Sequence, residues 1–267
     1  MKEWITGRNA VYEVLAAHHR DSFQLKIADG AKIEGQLEKI CSLAKKYRMP
    51  VTKVQRKQLD LLGENHQGVA LETAPYHYSD IGEIINAAKK RGEPLFILLL
   101  DIIQNPQNLG TLIRTAAAVG MHGVIMPQAK AAGVTPAVVH ASVGATEHIR
   151  IAQMNLAQAI DLLHDEGLWI IGLEGGEEAR PVQPKRLGGN LGIVVGNEGD
   201  GLRQLTRKAC DELAALPMNG KVESLNAATA GSVMIYLAYM QRLGMLNRSC
   251  HKALAVSLIS GIIDLFW

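Results

Sequence analysis

Residues 95–114 read LFILLLDIIQNPQNLGTLIR. The first six form a continuous apolar run of strand length, which predicts a strand buried on both faces, as in a parallel sheet. Asn105-Pro106 marks a turn, and a helix is expected over 108–119 with Asn108 as its N-cap. The alternation then continues with strand Gly123–Met126, helix 155–166, strand Leu168–Leu173, strand Leu191–Val195, helix 201–209, strand Leu213–Leu216 and helix 224–242. Such alternation predicts an α/β domain with a parallel sheet covered on both faces. Its ligands are expected beyond the carboxyl ends of the strands.

Upstream, residues 1–74 read as a smaller α/β unit. Val11, Val14 and Leu15 give a helical stripe after Gly7, followed by a strand at Phe23–Ala28. A helix carrying Ile33, Leu37, Ile40 and Leu43 is expected to run until Pro50 ends it. A strand at Val51–Val54, a short helix through Leu59–Leu62 and a strand at Val69–Leu71 complete the unit. The polar stretch 75–92, ending Lys89-Lys90-Arg91-Gly92, reads as a linker holding a short helix. The main domain is then expected over 93–244. The tail 245–267 ends in a mostly apolar run of about 15 residues, too short to span a bilayer; no chemistry is assigned to it, and it is expected to be structural or even dispensable.

The chain has 267 residues, 48% of them hydrophobic and 20% charged, which excludes wholesale disorder and fibrous repeats. Cys41, Cys210 and Cys250 share no CxxC spacing, so a reducing, cytoplasmic setting is expected rather than a disulfide framework. The opening MKEWITGRNA lacks the apolar run of a signal peptide. None of the nine histidines stands in an H-x-x-x-H pair, and no metal site is expected. The net charge of +2 hides an asymmetry, because residues 1–92 carry 15 Lys and Arg against 11 Asp and Glu. Lys45, Lys46, Arg48, Lys53, Arg56 and Lys57 form a basic cluster that suits a phosphate backbone, or equally a solvated helix face.

Three loops carry the polar and small residues that chemistry needs. In the first, Asn108 and Arg114 lie six residues apart, far from one helix face, so they share a ligand only if Asn108 precedes the helix. The second, Gly196–Gly201, reads GNEGDG after the strand LGIVV. Its order is not the dinucleotide fingerprint G-x-G-x-x-G, and it lacks the Lys-Ser/Thr pair of a phosphate loop, which counts against a nicotinamide-dependent dehydrogenase. Its glycines permit close backbone approach to an uncharged ligand, with Glu198 beside them. The third, LPMNGKVESLNA at Leu216–Ala227, offers Ser224 as the cap of the last helix, with Leu225 and Asn226 in its first turn. Each loop alone reads equally well as capping and packing.

Taken together, NLGTLIRTAAAVG at Asn108–Gly120, VVGNEGDGL at Val194–Leu202 and LPMNGKVESLNAATA at Leu216–Ala230 resemble the SpoU (TrmH) family of RNA ribose 2′-O-methyltransferases. GRNAVYEVL near the start, HQGVAL at His66–Leu71 and SVGATEHIRIAQMNL at Ser142–Leu156 are similar to the larger members, which methylate a guanosine of 23S ribosomal RNA; transfer RNA is the alternative substrate. The resemblance implies a C-terminal SPOUT α/β trefoil-knot domain with a parallel sheet. It also implies a small N-terminal α/β RNA-binding domain of ribosomal-protein type, and a homodimer without membrane contact.

The implied cofactor is S-adenosylmethionine, with Gly196, Leu216 and Leu225 as main contacts and Leu173, Glu174, Gly175, Val195, Met218 and Asn226 around them. The implied catalytic set is Arg114, Asn108, Glu198, Ser224 and Asn226. Arg114 would grip a phosphate and stabilise charge on the attacking ribose oxygen, since a guanidinium does not readily give up its proton. Two departures stand out: Asn105-Pro106-Gln107-Asn108 replaces the usual Asp-Pro-His-Asn, and Ala228 stands where many members have a hydroxyl. A non-catalytic RNA-binding assembly factor of the same fold is the competing reading.

Overall fold

The computed structural model describes residues 2–175, 178–199, 201–220 and 224–246. The tail expectation falls almost wholly outside the described residues. The first unit runs β1 (Glu3–Thr6), α1 (Arg8–Ala17), β2 (Ser22–Ala28), α2 (Gln36–Lys46), β3 (Val51–Val54), α3 (Arg56–Asp60) and β4 (Val69–Thr73). Its sheet has the order β1-β4-β2-β3. Strand β1 has no counterpart in the sequence reading. It is an edge strand of four residues that buries Ile5 opposite Leu71 in an antiparallel pair with β4.

Helix α2 corrects the expectation for Ile33, which lies before the helix and is 52% exposed. Gly35, with φ 59°, starts the helix instead. The helix also stops short of Pro50. Arg48 turns left-handed at φ 53° and Met49 N–H donates to Ala44 O, a C-terminal cap that closes the helix before proline is reached.

The second unit runs α4 (Ile81–Arg91), β5 (Phe96–Leu100), α5 (Pro106–Ala118), β6 (Gly123–Met126), α6 (Pro136–Ala141), β7 (Arg150–Gln153), α7 (Leu156–Asp165) and β8 (Trp169–Leu173). It continues with β9 (Arg180–Pro181), β10 (Leu191–Val195), α8 (Gln204–Ala209), β11 (Glu212–Ala215) and α9 (Ala227–Arg242). The seven-stranded sheet has the order β7-β6-β5-β10-β8-β11-β9, and all its pairs are parallel. Successive residues of a strand point to opposite faces. Phe96, Leu98 and Leu100 accordingly enter one core with α5 and α9, while Ile97 and Leu99 enter another with α7.

The polar stretch before β5 is packed rather than free. Asp80 caps α4 by accepting from Gly82 N–H at 2.7 Å, and Ile84, Ala87 and Ala88 are buried. Gly123 has no side chain because Ile84 fills that space: a Cβ there would meet Ile84 Cδ1 at 2.5 Å.

The first unit is clamped to the second around the segment after α6. Arg20 and Glu147 form a buried two-point ion pair, with Nη2 to Oε1 at 2.5 Å and Nε to Oε2 at 3.2 Å. His148 Nε2 lies 2.7 Å from Glu13 Oε2, and Tyr76 Oη donates to Thr146 O at 3.2 Å.

Candidate active site

The strand order reverses between β5 and β10, since the chain steps outward from β5 to β6 and β7 on one side and from β10 across β8 to β11 on the other. Crevices at the carboxyl ends of strands beside such a reversal are where open parallel sheets bind ligands. A cavity of about 350 Å³ opens there, at the ends of β8, β10 and β11. Leu173, Leu216 and Leu225 give it apolar walls, and Met218 and Leu225 stay more than 40% exposed. Glu174, Gly175, Val195, Gly196, Glu198 and Ser224 also line it.

Gly196 is required by its surroundings. A Cβ at that position would collide with the backbone carbonyl of Gly201, because the loop folds back on itself through an antiparallel bridge between Asn197 and Gly201. At Gly196 the backbone thus meets the cavity with no side chain in between. Arg207 holds the far wall, its Nε 3.0 Å from Glu174 Oε2 and its Nη2 2.7 Å from Glu178 Oε2.

At the rim, three loops are tied by one carboxylate. Asn108 Nδ2 and Asn226 Nδ2 both donate to Glu198 Oε1, and Asn226 Nδ2 lies 3.3 Å from Asn108 Oδ1. The other end of Asn226 caps α9, with Oδ1 accepting from Ala228 N–H at 2.9 Å and Thr229 N–H at 3.1 Å. Two capping expectations are thereby corrected. Asn226, not Ser224, caps α9, leaving Ser224 exposed on the cavity wall. Asn105, not Asn108, caps α5, because Pro106 occupies the first helical position and Asn105 accepts from Gln107 N–H at 2.8 Å. Asn226, also expected at the cofactor, sits in the rim cluster and is not among the lining residues.

Asn108 therefore lies inside α5, and the condition for it to share a ligand with Arg114 of the same chain is not met. Six residues along a helix amount to ~9 Å of rise and a rotation of ~240°. Arg114 is exposed on the stripe Gln107, Thr111, Arg114 and Ala118, and makes no hydrogen bond or ion pair with another described residue. Of the five expected catalytic residues, the fold joins Asn108, Glu198 and Asn226, puts Ser224 on the cavity wall and leaves Arg114 outside.

Sequence reasoning missed Asp101 and Arg203. Buried Asp101, at the end of β5, accepts from Arg203 N–H at 2.8 Å and Arg203 Nε at 2.6 Å, which pins the exit of the glycine loop. The only sequence signal was the position of Asp101 directly after the buried strand. Nearby, burial foremost, then the charges of Asp211, Asp101 and Glu174, pushes the Cys210 thiol up to about 12, so it stays protonated and is no nucleophile at neutral pH. Among the described residues, no group of three or more His, Cys, Asp and Glu is placed to hold a metal ion.

A family model described as the SpoU rRNA Methylase family matches residues 95–236, which span the sheet from β5, all three site loops and most of α9. The chain belongs to that family. A second model, described as RNA 2′-O ribose methyltransferase substrate binding, matches residues 4–79, so an N-terminal substrate-binding domain precedes the C-terminal catalytic domain. A Bacillus subtilis protein named as a TrmH family tRNA/rRNA methyltransferase, YacO, is 38% identical over 90% of this chain and 96% of its own length. A similarly named protein of Staphylococcus aureus strain COL is 38% identical over 89% of this chain and 96% of its own. Among solved structures, the SpoU methyltransferase AviRb of Streptomyces viridochromogenes, in complex with AdoMet, superposes with a TM-score of 0.74 at 22% identity. That match covers 91% of each chain. An AdoMet-bound rRNA methyltransferase of Sinorhizobium meliloti gives 0.70 at 23% identity, over 89% of this chain and 86% of its own. These structural matches establish the fold.

Proposed function

We propose that the chain transfers the methyl group of S-adenosylmethionine to a ribose 2′-hydroxyl of RNA, with a guanosine of 23S ribosomal RNA as the first candidate. One observation carries this reading: the Asn108–Glu198–Asn226 cluster stands at the rim of a cavity, at the strand-order reversal of a SpoU-family domain. Transfer RNA is the second reading, because the relatives are named for both RNAs.

The cavity suits the cofactor. Its volume lies in the range of about 300–1,000 Å³ usual for ligand pockets. Leu173, Leu216 and Leu225 offer apolar walls for an adenine, and the side-chain-free backbone at Gly196 supplies close polar contact. When bound there, S-adenosylmethionine supplies an electrophilic methyl group. The residues around it hold the loops in one arrangement: Glu198 fixes the amides of Asn108 and Asn226, and Asn226 in turn fixes the start of α9.

A neutral hydroxyl is a poor nucleophile, so negative charge growing on the ribose oxygen needs a cation nearby. Arg114 serves this role in our reading, gripping the adjacent phosphate, which or a water then takes the proton. Since Arg114 lies outside its own chain's cluster, we assign it to the cavity of a second copy. The exposed face of α9 supports a homodimer: Thr229, Val233, Tyr236, Met240 and Leu243 recur at helical spacing along a face that leaves Val233, Tyr236 and Leu243 41–56% exposed. This face adjoins α5, where Thr115 Oγ1 and Ser232 Oγ lie 2.9 Å apart. The trefoil knot and a cytoplasmic location complete the reading. No helix among the described residues is long and apolar enough to cross a membrane.

Lys45, Lys46, Arg48, Lys53, Arg56 and Lys57 are all exposed and form no ion pair with a described residue. Cations without a carboxylate partner suit an RNA backbone. The test is incubation with methyl-labelled S-adenosylmethionine and unmodified ribosomal or transfer RNA, then nucleoside analysis. Label in a 2′-O-methylnucleoside supports the reading, and label confined to a base overturns it.

A further inference from the structure

A second crevice lies in the N-terminal domain, lined by Arg8, Ala28, Asp29, Gly30, Ala31, Arg56, Gln67 and Gly68, with a volume of about 500 Å³. Its wall at Arg8 is built by a fixed loop. His66 is buried, with Nε2 2.9 Å from Asp60 Oδ1 and Nδ1 accepting from Gly68 N–H at 2.9 Å. Gln67 is thereby presented outward, and its Oε1 accepts from Arg8 N–H at 3.0 Å while its carbonyl accepts from Arg8 Nε at 3.2 Å. These bonds orient the Arg8 guanidinium and leave its Nη1 and Nη2 groups without a partner among the described residues. Arg56, on the opposite element, has no partner either, and the exposed Asp29 carboxylate accepts from no described residue.

We propose that this crevice binds one nucleotide of single-stranded RNA, its phosphate held by Arg8 and Arg56 and its base read by Asp29. Two guanidinium groups without a carboxylate partner among the described residues match a phosphate in charge and in donor geometry. A carboxylate accepts from an exocyclic amino group, which cytosine carries and uracil lacks. Unstacked bases in single strands expose these edges, whereas a duplex hides them. The inference rests on the reading of the chain as an RNA-modifying enzyme and places a reading head away from the methyl-transfer cavity. Arg56 links it to the basic cluster, so a strand leaving the crevice meets further cations at Lys53 and Lys57.

The test uses the full chain and fluorescently labelled eight-nucleotide oligocytidine and oligouridine, with binding followed by anisotropy over a salt series. Free cytidine monophosphate is the competing probe. Tighter binding of oligocytidine than oligouridine is expected. Arg56→Gln weakens both about tenfold and lowers the salt slope by about one. Asp29→Asn erases the preference between the two strands. Arg8→Lys, which keeps charge but loses the planar fork, guards against misfolding and is expected to weaken binding with an unchanged melting temperature. Affinities of R56Q and D29N equal to the unaltered protein's overturn the proposal, as does free cytidine monophosphate binding as tightly as the strand. If the protein binds these strands as expected but methylates no RNA, the reading of the catalytic cavity fails while the crevice stands.

Discussion

Asn226 Nδ2 lies 3.3 Å from Asn108 Oδ1 although 118 residues separate them in sequence, and Glu198 accepts from both side chains. One asparagine therefore does two jobs, capping α9 with its oxygen and joining the rim with its nitrogen. Asn226→Ala is expected to lose about 1 kcal/mol of stability from the cap alone and to weaken S-adenosylmethionine binding at the same time. Asn226→Asp keeps the capping oxygens but sets a second carboxylate against Glu198, so it should spare the cap and still lose activity. Thermal unfolding and calorimetric titration of the two variants separate these effects.

Arg114 forms no hydrogen bond or ion pair with another described residue, so Arg114→Ala should unfold at the same temperature as the parent and bind S-adenosylmethionine within about twofold, yet transfer no methyl group. Mixing it with Glu198→Ala should restore measurable activity, because a mixed dimer pairs one intact Arg114 with one intact rim cluster. Two inactive variants that stay inactive when mixed would place Arg114 outside the shared site.

The parallel sheet was legible because β5 and β10 are buried on both faces and therefore read as unbroken apolar runs. Edge strands carry no such signal: β1 and β7 are four residues long and half polar, and neither was anticipated. The three site loops were legible as a set, but their internal geometry was not. Ser224 and Asn226 are both good capping residues, and so are Asn105 and Asn108; Pro106 fixes the start of α5 directly after Asn105, while Asn226 is also held by Glu198, which lies 28 residues away in sequence. Arg20 and Glu147 illustrate the same limit, being 127 residues apart and paired only by the docking of the two domains.

The Arg20–Glu147 pair is almost fully buried, with both side chains at or below 1% exposure. Removing Glu147 leaves the buried Arg20 guanidinium with only its longer hydrogen bonds to Glu3 Oε2 and Ala74 O among the described residues, both at 3.5 Å, and losses of about 3–5 kcal/mol are usual for cutting such a buried pair. Glu147→Ala should therefore melt well below the parent in thermal unfolding. Replacing both residues with apolar ones of similar volume, Arg20→Met with Glu147→Leu, should recover most of that loss. A single variant as stable as the parent would contradict the clamp.

His122 is held neutral. Its Nδ1 accepts from Phe96 N–H at 3.1 Å and its Nε2 faces Glu93 Oε2 at 3.1 Å; burial lowers its pKa below the usual 6.5, with Glu93 opposing and Arg91 and Arg242 assisting. Burial likewise lowers His19. A base with a depressed folded pKa takes up its proton first in the unfolded chain, so stability is full above about 6.5 and falls as pH drops below it. Melting temperature should decline from pH 7.5 to 5.5, and His122→Asn should flatten part of that slope.

The assignment of the cavity to S-adenosylmethionine is tested most directly by calorimetric binding of that cofactor to the unaltered protein and to Gly196→Ala, alongside methyl transfer to unmodified ribosomal RNA. That assignment requires saturable binding by the parent, label recovered as a 2′-O-methylnucleoside, and loss of both in the variant, whose added methyl group has no room against Gly201. A Gly196→Ala protein that binds and transfers like the parent would contradict it.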